Sequence, residues 1–368
     1  MRVPFLDLNR QLEAIRDEIT AEIQWVLQNS SFILGPQVTA FEERFAKLHA
    51  TKYCCGVNSG TSALHVTLKA LGIKPGDEVS VPVLTFVATA WATSYCGAKP
   101  VFCDILENTA TMDPQSVEKK ITERTKAVIV VHLYGQACEM ETIGDICKKH
   151  DLMLVEDCAQ AHCAEYRGQR VAGFGVAGCF SFYPGKNLGA YGEGGAVLTN
   201  GESLDRKIRK LRDHGQSERY HHDSIGFNYR MDGLQGAVLK VKLNYIEGWT
   251  EQRRLAAQKY HRALKGVVLP GEKSDCRHVY HLFVVRHPNR DLLAHKLSQK
   301  EITTGLHYPK PVHLQAAYAD LGGKRGDLPV SEAWADECLS LPLFPELTDN
   351  EIDYVVENIN AMAGAGQL

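Results

Sequence analysis

The chain lacks a long apolar run, a large charge excess and, although Cys54 and Cys55 are adjacent, any C-x-x-C, and each absence removes a class of function. Its 41 basic and 44 acidic residues leave a formal charge of -3. That balance gives no bulk attraction to nucleic acid or an anionic membrane. No run reaches the roughly 20 apolar residues of a membrane span. The start, Met1-Arg-Val-Pro-Phe-Leu-Asp-Leu, is not a signal peptide. The 11 cysteines are odd in number, lie in apolar segments and form no C-x-x-C. Such usage fits reduced thiols in a cytoplasmic enzyme better than a disulfide framework or a zinc site. His162, between Cys158 and Cys163, matches no common ligand spacing, so no metal is expected. There is no internal repeat or low-complexity segment. What is present is ordinary for a globular protein: 368 residues, 44% hydrophobic and 23% charged, enough for one large domain and a smaller one.

The most informative stretch is Ser181-Phe-Tyr-Pro-Gly-Lys186-Asn-Leu-Gly-Ala-Tyr-Gly-Glu-Gly-Gly195. A strand-like run, 177–182, breaks at Pro184-Gly185, presents one lysine and enters a glycine-dense loop before a second run, 196–199. Burial disfavours an ammonium, lowers its pKa and suits amine chemistry, above all a Schiff base with a carbonyl. Most lysines are merely solvated surface charges, so Lys186 needs support from other parts of the chain. A nucleotide P-loop is excluded by spacing, because Phe180 and Asn187 stand where glycine and Ser or Thr are required.

Apolar runs at 53–57, 79–83, 100–105, 127–131 and 152–155 alternate with helical patterns at 87–95, 114–121 and 141–150. Continuous rather than alternating hydrophobicity predicts a mostly parallel sheet covered on both faces, with ligands at the carboxyl ends of its strands. Those ends carry Phe86, Asp157, Gln160 and Lys186. Asn58-Ser-Gly60-Thr61-Ser, at a strand-to-helix turn, offers free N–H groups to an anion, although simple capping by Ser59 or Thr61 explains it equally well. Earlier, 11–28 and 38–48 read as helices. Later, 204–214 reads as a helix and 216–222 as a polar loop. Met231, Leu234, Val238 and Val241 share one helical face. A charged helix at 246–264 marks the hinge, followed by a strand at 280–285 and helices at 290–300 and 349–362. The reading is α/β, with a large domain at 1–245 and a small α+β domain at 246–368.

Together the motifs Ser-Gly-Thr-Ser-Ala-Leu, Glu-Asp-Cys-Ala-Gln-Ala-His, Ser-Phe-Tyr-Pro-Gly-Lys-Asn-Leu-Gly and Gly-Phe-Asn-Tyr-Arg-Met-Asp resemble fold-type I enzymes dependent on pyridoxal 5'-phosphate (PLP). The specific resemblance is to the DegT/DnrJ/StrS nucleotide-sugar aminotransferases, over essentially the whole chain. It implies that Lys186 forms the Schiff base and shuttles a proton, and that Asp157 pairs with the pyridine nitrogen. Gln160 is implied to hold the ring hydroxyl and Phe86 to stack on the ring, with Ala159 or His162 on its other side. Gly60, Thr61 and Ser181 would hold the phosphate, and Asn228 would reach the phosphate of a partner subunit in a homodimer with shared active sites. The family usually has glycine where this chain has Cys163, whose side chain either crowds the cofactor or packs away.

The resemblance further implies amino transfer from L-glutamate, through the pyridoxamine (PMP) form of the cofactor, to a nucleotide-linked keto-sugar. Tyr183 resembles the branch that aminates C3 of dTDP- or UDP-linked sugars. Arg219 and Tyr220, with His221 and His222, supply donors fit for a diphosphate, and His307, Tyr308 and His313 are expected around the sugar. The alternatives are a cyclitol aminotransferase and a non-catalytic PLP-binding regulatory protein. A PLP-dependent sugar dehydratase, whose branch replaces the lysine with histidine, is disfavoured by Lys186.

Overall fold

The computed structural model describes residues 1–364, so the last four residues of the expected 246–368 domain lie outside the described residues. Helices α1 (Leu8–Gln28) and α2 (Pro36–Leu48) precede the sheet. Strands β1 (Tyr53–Val57), β2 (Glu78–Pro82), β3 (Lys99–Cys103), β4 (Thr125–Val131) and β5 (Met153–Asp157) then alternate with α3 (Gly60–Ala70), α4 (Ala88–Tyr95), α5 (Pro114–Lys120) and α6 (Met140–Lys149). A small hairpin, β6 (Glu165–Tyr166) and β7 (Gln169–Arg170), leads to β8 (Ala177–Ser181), β9 (Gly195–Thr199) and α7 (Glu202–Arg212).

The seven long strands form one sheet in the order β1-β9-β8-β5-β4-β2-β3. Its pairs from β8 to β3 are parallel, and only β9 is antiparallel to its neighbours. Successive side chains point to opposite faces, and here both faces are dry. Val128, Val130 and Leu154 pack with Phe41, Phe45, Phe180 and Phe182 on one side. Ala127, Ile129 and Val155 pack with Leu64 and Leu68 on the other. That two-sided burial is why the strands read as unbroken apolar runs.

The remaining elements depart from the sequence reading in three places. Residues 216–222 are not a plain loop but an exposed hairpin, β10 (Gln216–Glu218) with β11 (His221–His222). The next helix, α8, spans Gly233–Lys242 and excludes Met231, which is nevertheless buried. A Cβ at Gly233 would stand 1.9 Å from the Ser31 carbonyl oxygen, so the chain is held close to the 31–34 segment at the helix's first residue. After α9 (Ile246–Ala263) and β12 (Cys276–Arg277), which joins the β6–β7 hairpin, the expected strand at 280–285 starts late, as β13 (Phe283–Arg286). Val279 and His281 instead donate their backbone N–H groups to Gly135 and Tyr134. β13 pairs antiparallel with β14 (Cys338–Leu341), flanked by α10 (Arg290–Gln299), α11 (Pro329–Glu337) and α12 (Asp349–Gly364). Val3 bridges to Ile302 and is buried in this C-terminal core, so the first residues of the chain cross over to it.

The Phe45 ring lies 4.9 Å from Phe180 and 5.4 Å from both Phe41 and Phe182. Phe45→Ala is expected to cost about 3–5 kcal/mol, read as a lower urea midpoint. An unchanged midpoint would show that this cluster lies outside the cooperative core.

Candidate active site

Because β8 and β9 are adjacent and antiparallel, with Ser181 opposite Gly195, residues 182–194 must leave the sheet and return to it. Phe182 donates to the Gly194 carbonyl at 2.8 Å and Ala190 to the Phe182 carbonyl at 2.8 Å, closing the excursion at its base. Gly189 is required inside it, since a Cβ there would stand 2.2 Å from the Pro184 carbonyl oxygen. Lys186 turns at the tip, its N–H donating to the Tyr183 carbonyl at 2.8 Å. Burial lowers the Lys186 pKa to about 8, against the opposing pull of Asp157. Among the described residues no hydrogen bond or salt bridge engages its Nζ.

Asp157 is the last residue of β5 and is 5% exposed. Its Oδ2 accepts from Thr89 Oγ1 at 2.8 Å and its Oδ1 from the Ala159 N–H at 3.1 Å. Burial raises its pKa, and those two donors work the other way. Gln160 accepts from the Tyr134 N–H at 2.7 Å and donates to the Tyr308 hydroxyl at 3.0 Å. Phe86 is 54% exposed, with its ring centroid 6.0 Å from that of Tyr308. A large apolar ring left half in water beside Tyr308 offers a face for another flat group.

The anion cradle is built by close approach. Ser59 caps α3 by accepting from the Ser62 N–H at 3.0 Å, which puts Gly60 and Thr61 in the first turn. A Cβ at Gly60 would stand 2.6 Å from Ser181 Cβ, so only glycine brings the helix N-terminus against the end of β8. Asn228 is exposed, and its backbone carbonyl accepts from Asn58 Nδ2 at 3.3 Å.

These positions suit PLP by their own chemistry: a free amine with a depressed pKa, a buried carboxylate, an open aromatic face and a helix N-terminus for phosphate.

Other expected residues are placed differently. His313 is buried, its Nε2 3.1 Å from Glu332 Oε1, and presents no open edge to a sugar. Its partner is an internal carboxylate 19 residues further on, which local sequence does not announce. His162 is wholly buried among Phe45, Phe180 and Phe182, which leaves the partly exposed Ala159 on that side. His307 Nδ1 lies 2.9 Å from Ser340 Oγ, and burial with Lys186 nearby lowers its pKa to about 4. Tyr183 is 56% exposed. Arg219 stacks on Tyr220 at 5.1 Å on the exposed hairpin, and among the described residues no hydrogen bond or ring contact joins that hairpin to the lysine loop. Cys163 has φ +67°, the left-handed region that favours glycine, and its side chain is packed away in the core.

Sequence reasoning missed Thr89, Tyr134, Asn187 and His281. Thr89 had a signal in the spacing of Thr85 and Thr89, four residues apart, whose hydroxyls lie 2.9 Å from each other across the start of α4. It also missed the buried group of His132, Glu156 and Cys158, whose ligand-type atoms lie within 4.8 Å of one another. Glu156 there accepts from the N–H groups of Ala172, Phe174 and Gly175, and from His132, whose Nδ1 is itself taken by the Cys138 N–H. Its lone pairs are spent on joining the end of β5 to the 172–175 turn.

The fold and these side chains define a fold-type I PLP enzyme. Residues 13–360 match the DegT/DnrJ/EryC1/StrS aminotransferase family, and the chain belongs to that family. It is 45% identical to the pleiotropic regulatory protein of Geobacillus stearothermophilus, over 98% of each chain. It is 43% identical to the dTDP-3-amino-3,4,6-trideoxy-alpha-D-glucose transaminase of Streptomyces venezuelae, over 98% of this chain and 96% of that one. The crystal structure of S. venezuelae DesV in complex with a ketimine intermediate superposes with a TM-score of 0.96 at 43% identity, over 98% of both chains.

An amine with a pKa of about 8 is mostly free at pH 9, where an ordinary lysine at 10.5 is still mostly protonated. Cofactor-free protein treated with an amine-selective acylating reagent is therefore expected to lose its Lys186 peptide with a midpoint near pH 8. A midpoint near 10.5 would contradict the burial argument.

Proposed function

We propose that this protein transfers the amino group of L-glutamate to the C3 ketone of a dTDP- or UDP-linked hexose, releasing 2-oxoglutarate and a 3-amino sugar nucleotide. The observation that carries the reading is the unpartnered Lys186 amine beside buried Asp157, held in a loop that returns to the cradle of Gly60 and Ser181. The substrate class is supported by relatives 41–43% identical that are named as 3-amino-sugar transaminases acting on dTDP- and UDP-linked substrates.

PLP, when bound, supplies an electron sink for the substrate carbon that gains or loses the amino group. The chain's own residues do the rest. Lys186 is the nucleophile that attaches the cofactor, and its Nζ carries a proton to and from the reacting carbon. Asp157, fixed by Thr89 and the Ala159 N–H, keeps a proton on the pyridine nitrogen. Gln160 donates to the ring hydroxyl, and Phe86 covers one ring face. The N–H groups of Gly60 and Thr61, with the Ser181 hydroxyl, bind the phosphate. Tyr183, His307 and Tyr308 face the sugar.

The proposal includes a homodimer. Asn228 is exposed, and Tyr220, at 76% exposure, stands on the hairpin that, among the described residues, no hydrogen bond or ring contact joins to its own lysine loop. Both are suited to complete the site of a second copy, with Arg219 meeting the diphosphate. The division into units at 1–245 and 246–368 belongs to the same reading, with α9 at their junction. A regulatory role that uses PLP without turnover is favoured by one observation, the regulatory name of the 45% identical relative.

Purified protein should be yellow, bleach with L-glutamate, and regain colour with one of a set of dTDP- and UDP-linked 3-keto sugars. Lys186→Ala is expected to reduce turnover by at least about 10²–10⁴-fold. Colour that glutamate leaves unchanged would favour the regulatory reading, and a protein that takes up no PLP would end the proposal.

A further inference from the structure

Residues 278–282 lie against the turn that follows β4. Gly135, at φ +105°, makes the approach possible, since a Cβ there would stand 2.8 Å from Val279 Cγ2 and 3.1 Å from the backbone nitrogens of Tyr280 and His281. Val279 donates to the Gly135 carbonyl at 3.0 Å and His281 to the Tyr134 carbonyl at 2.8 Å. Arg253, buried in α9, donates from Nη1 to the carbonyls of Tyr280 and His281 at 3.3 Å and of Leu343 at 2.9 Å. The His281 backbone is thus fixed through both its N–H and its carbonyl.

Its side chain then meets the lysine loop. Asn187 Nδ2 donates to the Val279 carbonyl at 3.1 Å, which settles which way the amide points. Asn187 Oδ1 therefore faces His281 Nδ1, 3.1 Å away, and the imidazole must be the donor. Burial and the nearby Lys186 keep the ring neutral, so Nε2 carries a lone pair. On its far side the loop is held by α8. Lys242 Nζ donates to the Gly189 carbonyl at 2.8 Å, and Gln235 Oε1 accepts from the Tyr191 N–H at 2.9 Å. Gln235 and Lys242 are seven residues, two helical turns, apart and share one face of α8. Lys186 therefore sits between two anchors, and the one adjacent to it in sequence is contributed by the C-terminal part of the chain.

We propose that His281 is a positioning residue for Lys186, acting through its Nδ1–H donation to Asn187 as a latch that orients the lysine loop. The inference rests on the reading that Lys186 attaches the cofactor. The same segment reaches the ring-facing amide as well, because Tyr134 donates its own N–H to Gln160. One contact between residues 278–282 and the 134–135 turn thus bears on both the lysine and the glutamine.

The test compares wild type, His281→Ala, His281→Asn, Asn187→Ala and the His281→Ala/Asn187→Ala double variant. PLP affinity is measured by absorbance titration, and amide hydrogen exchange over 186–190 is measured in cofactor-free protein. His281→Ala is expected to weaken PLP about tenfold, Asn187→Ala at least as much because it also loses the bond to the Val279 carbonyl, and the double variant no further than Asn187→Ala, because His281 acts through Asn187. His281→Asn, whose amide can donate from the Nδ1 position, should stay within about threefold of wild type. Exchange over the loop should rise in His281→Ala and not in His281→Asn. Additive losses, an asparagine variant as impaired as alanine, or unchanged loop exchange would overturn the latch. Wild type that takes up no PLP would end the functional reading instead, and the exchange comparison still decides the latch. If His281→Ala does not fold, Asn187→Ala carries the exchange comparison, read against His281→Asn.

Discussion

An ammonium group gains so much from water that holding one back from it requires either a counter-charge or a shift toward the neutral amine. At Lys186 the chain accepts the shift. The lysine sits on a loop between two antiparallel strands, second and third in a seven-stranded sheet, where neighbouring atoms come too close for side chains at Gly189, Gly195 and Gly60. Its surroundings respond consistently. His162, His281 and His307 all lose affinity for protons, first through burial and then through nearby positive charge, Lys186 among it. The balancing negative charge is Asp157, which burial pulls toward neutrality while Thr89 and the Ala159 N–H hold it back. Nucleophilicity, carboxylate chemistry and neutral imidazoles are thus three consequences of one desolvated cleft.

A second lysine sharpens the point. Burial lowers the pKa of Lys242 as well, to about 7. Its amine, however, is committed: Nζ donates to the Gly189 carbonyl and lies 4.3 Å from the Tyr191 ring centroid. A depressed pKa alone does not make a reactive amine. What distinguishes Lys186 is that, among the described residues, no hydrogen bond or salt bridge engages its nitrogen. Lys242 instead braces the loop that carries Lys186, so the two lysines have separate tasks, one structural and one chemical.

How much of this was legible in the chain follows from what each feature depends on. The parallel core was readable because residues such as Ala127, Val128, Ile129 and Val130 are buried on alternating faces with apolar cover on both. The lysine, the carboxylate and the cradle were readable because each lies within a short motif at a strand end. The Cys163 departure was visible, but its outcome depended on an αL backbone angle and on core space that only the fold provides. His281, Tyr134 and Asn187 were hidden because their roles come from a contact across 94 residues and from a glycine whose use depends on the crossing segment. His313 misled for the same reason: a polar residue in a Pro-rich loop resembles a pocket residue until a buried carboxylate claims it.

The most direct test of the central claim is to load the protein with PLP, reduce it with borohydride and map the modified peptide. The account predicts that the phosphopyridoxyl label falls on Lys186 alone, although burial depresses the pKa of Lys242 as well. Label on Lys242, or spread over surface lysines, would contradict the claim that an unpartnered amine at the strand-end loop is what the fold is arranged to present.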